Sequence, residues 1–462
     1  MSEPPVPHPP RPRGTFAASN SILPRFVVRP AQEFMRQEAS AGLVLLAASI
    51  AALIWANVDS DGYTDFWETT IAFGVGDWSE SEKLLKVVND GLMTLFFLVI
   101  GLEIKRELTV GELASRRAAA LPAVAAVGGM VLPAAIYLIA TWNGVGSEGW
   151  GIPIATDVAF ALAALAALGR LVPPALVAFL LGVAVIDDIL AIGVIAIFYT
   201  DTIVLGWLAG AVAVVVLMYV LNRLHVRSMT IYIVLGVAAW FMTFESGVHA
   251  TIAGVVIGLI TPARPFQDPG TVSAEAIRIA HLTEDDPDDP DEDAMHWREL
   301  SWLSNEAVSP LARIEHGLHR WTSFLILPIF ALANAGIVLS SDALEAATEN
   351  GVALGILLGL VFGKTVGITL GSLVAVGLGI GKLPEGVRLA HLIGAASLAG
   401  IGFTVSLFIA GLAFDDPVIE NSARLGILAG SIVAGAVGLA VLWAVGRRSP
   451  QPAQPPPEAE PV

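Results

Sequence analysis

The stretch Ala184-Val185-Ile186-Asp187-Asp188-Ile189-Leu190 sets two adjacent carboxylates in the middle of an apolar run from Pro174 to Phe198. A bilayer-spanning helix needs roughly 20 apolar residues, and this run supplies them. A carboxylate at membrane depth costs about 3 kcal/mol, so such acids usually face a polar interior and carry function. Two in a row read in one of two ways. Either they pair with a basic residue and hold helices together, or they form a site for a proton or a cation.

The surrounding chain is of the same kind. Its 462 residues are 55% hydrophobic with a mean hydropathy of +0.72, and the apolar residues gather into repeated long runs. That composition predicts an all-α polytopic membrane protein. Twelve spans are expected, near residues 40–58, 87–108, 118–141, 152–169, 174–198, 203–221, 230–244, 247–261, 321–340, 352–378, 388–413 and 424–445. Residues 1–39 form a Pro- and Arg-rich tail without the apolar core of a signal peptide, expected to be disordered apart from an interfacial helix near Phe26–Ala39. Residues 40–445 form the membrane domain, and 446–462 a second Pro-rich tail. No cysteine is present, which excludes disulfides and thiolate metal sites.

Charge sets the orientation. With the N-terminus inside, Lys105, Arg106, Arg116, Arg117, Arg170, Arg223, Arg227, Lys382, Arg388, Arg447 and Arg448 fall in cytoplasmic connections, as do the basic residues between 262 and 320. Only Lys83, Lys86 and Arg424 fall outside, and Lys364 lies within the tenth span. The positive-inside rule then places both termini in the cytoplasm. Almost half of the net charge of −17 is local: residues 284–293 hold eight acids. This centre of a 265–310 cytoplasmic insert is expected to stay solvated and extended.

Intramembrane charge is the richest functional signal. Besides Asp187 and Asp188 there are Asp157 in the fourth span, Asp90 near the start of the second, Glu103 and Glu107 near its other end, and Lys364. The fourth span is interrupted by Gly151 and Pro153, the eleventh by Gly394 and Gly400-Ile401-Gly402. Broken backbone at membrane depth is tolerated where it lines a protein cavity, and paired breaks in two halves point to a transporter site. Spans four and eleven are seven apart; an odd offset makes corresponding segments face opposite ways, as inverted repeats require.

The chemistry follows from the residue types. Sodium and lithium are hard ions that want oxygen, which carboxylates, Thr hydroxyls and freed carbonyls supply. Acids crowded in a low dielectric cannot all ionise cheaply. A carboxylate poised near the working pH can therefore hold either a proton or a metal ion, and competition at a site that opens to one side at a time gives exchange. Lys364 would offset one negative charge, and because burial penalises its charged form it could itself exchange protons.

At these residues the sequence resembles the NhaA-type sodium/proton antiporters. The shared motifs, in order, are Val88-Asn89-Asp90-Gly91-Leu92-Met93 continuing to Gly101-Leu102-Glu103-Ile104-Lys105-Arg106-Glu107-Leu108; Trp150-Gly151-Ile152-Pro153-Ile154-Ala155-Thr156-Asp157; Ile186-Asp187-Asp188; Ser246-Gly247-Val248-His249-Ala250-Thr251; Ala333-Asn334-Ala335-Gly336; Gly363-Lys364; and Gly400-Ile401-Gly402-Phe403-Thr404. The resemblance implies a twelve-helix transporter with inverted repeats and two unwound, crossing helices in spans four and eleven. It implies electrogenic export of sodium or lithium for more than one proton, active at neutral to alkaline pH. Such a protein serves pH homeostasis and salt tolerance in a bacterial inner membrane, as a homodimer, with no resident cofactor, no enzymatic activity and no nucleic-acid partner.

The resemblance also implies residue roles. Asp188 would be the central ion-binding and proton-carrying carboxylate, and Asp187 would pair with Lys364. Thr156 and Asp157 lie on the unwound part of span four, with Asp157 balancing helix ends; Asp188, Asp157 and Thr156 form the expected sodium ligands. Asp90 would be a cavity acid, and Glu103, Glu107, Glu315 and His249 would set the pH response. The acidic insert and the longer tails depart from the family pattern beside Glu315. Taken alone, His249 reads as a packing or capping histidine, Asn334 as hydrogen-bonding within its own span, and the Gly-rich spans three, ten and twelve as small-residue helix packing.

Three other functions compete. Gly74-Val75-Gly76-Asp77 matches an intramembrane aspartyl protease pattern but lies in the polar outside loop 59–86, which is long enough for an edge-strand hairpin. A passive channel would want weak serial sites rather than a buried acid and lysine set. A sodium-coupled symporter of a small organic anion would want polar substrate contacts in place of three central acids.

Overall fold

The computed structural model describes residues 38–75, 78–142, 144–200, 202–285 and 290–448; Gly76-Asp77 of the protease-like pattern and the two expected tails lie outside them, except that residues 38–39 and 446–448, expected in the tails, are helical. Helix α1 (Glu38–Val58) leads into α2 (Ser60–Glu68) and an antiparallel hairpin of β1 (Thr70–Val75) and β2 (Trp78–Lys83). Then come α3 (Leu84–Thr109), α4 (Arg116–Ala140), a 3₁₀ segment Ser147–Ile154 with α5 (Val158–Leu168), and α6 (Pro174–Phe198). Helices α7 (Leu205–Arg223), α8 (Met229–Glu245) and α9 (Thr251–Ile260) complete the first part. The second part runs α10 (Pro269–Asp285), α11 (Pro290–Glu306), α12 (Pro310–Trp321), α13 (Leu327–Asn334), α14 (Ser341–Glu349), α15 (Val352–Gly377), α16 (Leu389–Leu398), α17 (Phe403–Ala413) and α18 (Pro417–Arg448).

Among the described residues eight helical stretches are long and apolar enough to cross a membrane, or nine with α16 and α17 as one span bent by 47°. Helices α8 and α9 are shorter and apolar. The expected span 321–340 is displaced: helix runs from Pro310 through a π turn, Thr322–Ile326, to Asn334, and residues 335–340 are not helical. Two features account for its end. The Tyr63 hydroxyl lies 2.9 and 2.7 Å from the carbonyls of Leu332 and Ala333 and satisfies the end of α13. Gly336 makes room for it, since a Cβ there would sit 2.1 Å from the Tyr63 ring. Burial raises the Tyr63 phenol to about 12, so it stays a donor at any physiological pH.

Helices approach through small residues, as expected where no hydrophobic effect drives apolar helices together. A Cβ on Gly128 of α4 would lie 2.3 Å from the Gly367 carbonyl of α15, and one on Gly367 would lie 2.2 Å from that of Gly128. The two backbones are in contact. Gly426 of α18 approaches the Ala353 carbonyl in the same way.

The acidic insert departs from its expectation. The flanks of the centre are helical rather than extended, 284–285 ending α10 and 290–293 opening α11, while 286–289 lie outside the described residues. The sequence Pro290-Asp291-Glu292-Asp293 opens α11, an order that helix N-termini favour through the fixed φ of proline and the positive end of the helix dipole. Arg227, in the α7–α8 connection, pairs with Glu306 at the end of α11 and lies over the rings of Phe266 (5.0 Å) and Trp302 (5.9 Å).

Candidate functional site

Residues Ala155–Asp157 and Ala399–Gly402 interrupt two helical stretches, and the interruptions touch. The Asp157 amide donates to the Ile401 carbonyl at 2.6 Å. The carboxylate of Asp157 caps two helices at once. Its Oδ1 accepts from the Phe160 amide (3.2 Å) at the start of α5, and its Oδ2 accepts from the Thr404 amide (3.0 Å) and hydroxyl (2.6 Å) at the start of α17. One negative charge thus faces two positive helix ends. Ser406 steadies the same junction by donating to the Ile152 carbonyl at 2.8 Å.

Helix α6 brings Asp187 and Asp188 against this junction. Lys364 is wholly buried at the start of the helical run that follows a π turn, Gly359–Gly363, in α15. It donates to Asp187 Oδ2 at 2.5 Å. The Thr156 hydroxyl sits 2.8 Å from that same oxygen and 2.8 Å from the Ala399 carbonyl. A hydroxyl has one proton, so Thr156 can satisfy only one of these two acceptors while Asp187 is ionised. Asp187 Oδ1 is buried with no hydrogen-bond partner among the described residues. Asp188, 8% exposed, makes no side-chain hydrogen bond among them either. Asp187, Asp157, Glu103 and Lys364 lie within Coulombic reach of it. The five expected central residues are therefore together, and the oxygens left without donors belong to Asp187 and Asp188.

The other expected residues lie toward the two ends of α3. Asp90 and Glu103 are 13 residues apart, about 20 Å along a helix. At one end Arg106 pairs with Glu315 of α12 and approaches Glu107 at 3.7 Å, with Glu103 in Coulombic reach of both Glu315 and Arg106. At the other, Asp90 sits in a π turn, Val87–Leu92, within Coulombic reach of Lys86, His249 and Glu82. The His249 ring contacts the Tyr199 carbonyl, whose hydroxyl lies 3.1 Å from the Gly151 amide in span four and accepts from it.

Several contributors escaped sequence reasoning. Asn89 and Asn334 exchange amide hydrogen bonds at 3.2 and 2.9 Å, joining α3 to α13, while Asn334 also donates to Phe330 within its own helix. Both residues sit in the recognised motifs, but nothing in their spacing marks them as partners. Thr404 closes the Gly400–Thr404 motif and its capping role is likewise visible only in three dimensions. Among the described residues no three His, Asp or Glu converge on a resident metal position.

The profile of the Na+/H+ antiporter 1 family matches residues 32–442. The chain belongs to this family. It is 43% identical over 433 residues to the Na+/H+ antiporter NhaA of Syntrophobacter fumaroxidans, covering 92% of each chain. It is 45% identical over 439 residues to the NhaA antiporter of an Anaeromyxobacter species, covering 92% of this chain and 94% of that one. Membership, together with the apolar helices, makes it a multi-pass membrane protein of a family of ion transporters.

Proposed function

We propose that this chain is an electrogenic, pH-regulated sodium (lithium)/proton antiporter, exporting Na+ in exchange for H+ by competition at intramembrane aspartates. The observation that carries the reading is the buried Asp187–Lys364 pair, 2.5 Å apart at the junction of two broken helices, with the Asp188 carboxylate unbonded beside it. Asp188 alternates between a proton and a sodium ion, with Thr156 and the freed carbonyls of the breaks supplying further oxygen. When sodium binds, Asp187 and Lys364 part, and the Lys364 ammonium, no longer facing a carboxylate, gives up a second proton that leaves with the one from Asp188. Return of two protons for one sodium moves one net positive charge inward. Asp157 neutralises the two helix ends it caps, and the twelve spans, as inverted repeats with crossing fourth and eleventh helices, let the centre open to one face at a time. Both termini are cytoplasmic, the membrane is a bacterial inner membrane, and the protein works as a homodimer.

The groups at the ends of α3 regulate access. Glu103, Glu107 and Glu315 around Arg106 lie at the cytoplasmic end, where protonation would change which carboxylate holds the guanidinium, and His249 and Asp90 lie at the outer end. The deciding experiment is sodium-driven collapse of a proton gradient in inside-out vesicles, wild type against Asp188→Asn, at neutral and alkaline pH. Collapse in wild type and its loss in the variant is expected. An active variant would make Asp188 structural, and no sodium-dependent proton movement in wild type would move the symporter reading forward.

A further inference from the structure

The three basic residues expected outside the membrane are all neutralised. Lys83 pairs with Glu68 at 2.8 Å, Lys86 with Glu82 at 2.7 Å, and Arg424 with Glu420 one turn away on α18. The Lys83 pair is exposed, and the Arg424 pair is a partly buried i,i+4 contact within one helix. Lys86 is placed differently. It lies four residues before Asp90 on α3, so it shares a face with that acid, and Asp90 is within its Coulombic reach. Its ammonium is 4.8 Å from the centre of the Phe244 ring of α8, and Phe244 stacks on Trp240 at 6.0 Å. Trp240 in turn donates to Thr94 at 3.0 Å, and the Thr94 hydroxyl donates to the Asp90 carbonyl at 2.5 Å. The lysine is thus held against the Phe244 ring and the Glu82 carboxylate, with Asp90 within its Coulombic reach. An aromatic face attracts a cation and holds it without supplying a competing oxygen.

We propose that the Lys86 ammonium is a built-in competitor for sodium on the outer side, holding the Glu82 carboxylate by contact and opposing a second cation beside Asp90 through its charge. The inference rests on the antiport reading and on the outward placement of β1–β2. A tethered positive charge raises the energy of a sodium ion arriving beside it and speeds the departure of one leaving. It cannot change the sodium gradient that a given proton gradient sustains at equilibrium. It changes the concentration at which the outer face saturates, which suits a protein that discharges sodium there.

Sodium-dependent proton movement, measured in right-side-out and inside-out vesicles from a host lacking its own antiporters, tests this face by face. Lys86→Met should lower the outer-face KM for sodium roughly three- to tenfold, with the inner-face KM unchanged. Glu82→Gln, which frees the ammonium for Asp90, should raise the outer-face KM. Lys86→Arg should restore the wild-type value, and Lys83→Met should leave both faces alone. Raising the ionic strength with choline chloride should shrink the Lys86→Met difference. Equal changes at both faces, a change in maximal rate alone, or shifts of the same sign in Lys86→Met and Glu82→Gln would overturn the inference while leaving antiport intact. Absence of sodium-dependent proton movement in wild type at both faces would remove the antiport reading, and this inference with it.

Discussion

Asp157 and Asp187 are both 2% exposed, yet the two acids are held in opposite ways. Asp157 takes its hydrogen bonds from two backbone amides and a hydroxyl, with both oxygens engaged. These donors are fixed by the helices that carry them. Asp187 takes its charge partner from a long side chain, shares one hydroxyl with a carbonyl, and leaves one oxygen without a donor. The difference teaches which acid can change state. A carboxylate matched to fixed dipoles loses its bonds only if the helices move, whereas one matched to a lysine can trade that partner for a proton or an ion.

Breaking the movable pair should have the largest effect. Lys364→Met leaves Asp187 buried without its counter-charge, and removing one member of a buried pair costs about 3–5 kcal/mol. A marked fall in thermal midpoint in detergent is expected, with partial recovery in the Lys364→Met, Asp187→Asn double variant. If the double variant is no better than the single, the two side chains are not coupled and the contrast with Asp157 fails. Asp157→Asn should come next, at about 1–2 kcal/mol, because the amide keeps an acceptor but loses the charge that faces two helix ends. It should retain sodium-dependent proton movement. Total loss of transport in a folded Asp157→Asn protein would make Asp157 a carrier and erase the distinction.

Smaller effects sharpen the contrast at its edges. Asn89→Ala strands the Asn334 amide at the α3–α13 contact and should cost about 1–3 kcal/mol, with Asn89→Ala, Asn334→Ala less than additive by thermal unfolding. Lys83→Met breaks a pair whose members are both more than half exposed, at 57% and 54%, and should cost about 0–1 kcal/mol. A large loss there would mean that exposed pairs in the hairpin carry weight, and that burial is not what separates Asp187 from the rest.

Much of this was readable in advance, for identifiable reasons. Apolar runs of about 20 residues have no other common use, and Gly151, Pro153, Gly400 and Gly402 mark where helix should fail. The hairpin in 59–86 was within reach as well. The end of α13 was not, because it depends on Tyr63, more than 260 residues away in sequence, supplying a donor to the carbonyls of Leu332 and Ala333. The helices of the acidic insert were misjudged because local charge repulsion was weighed without the gain of placing acids at a helix start.

For the site, the chain by itself determined which groups lie at membrane depth: Asp187 and Asp188 in an unbroken apolar run, Asp157 at a break, Lys364 as the single intramembrane lysine. Hydropathy is local, and a charge among apolar neighbours can be read without a partner. The pairing of Asp187 with Lys364 came from resemblance rather than from spacing. Which oxygen meets which donor was decided only by tertiary structure, since the Asp187–Lys364, Asn89–Asn334 and Asp157–Thr404 contacts span 177, 245 and 247 residues. No helical or strand period reaches that far. Such contacts are set by where glycine backbones let helices touch and where two broken helices meet, and that geometry leaves Asp157 saturated and Asp187 with an oxygen to spare.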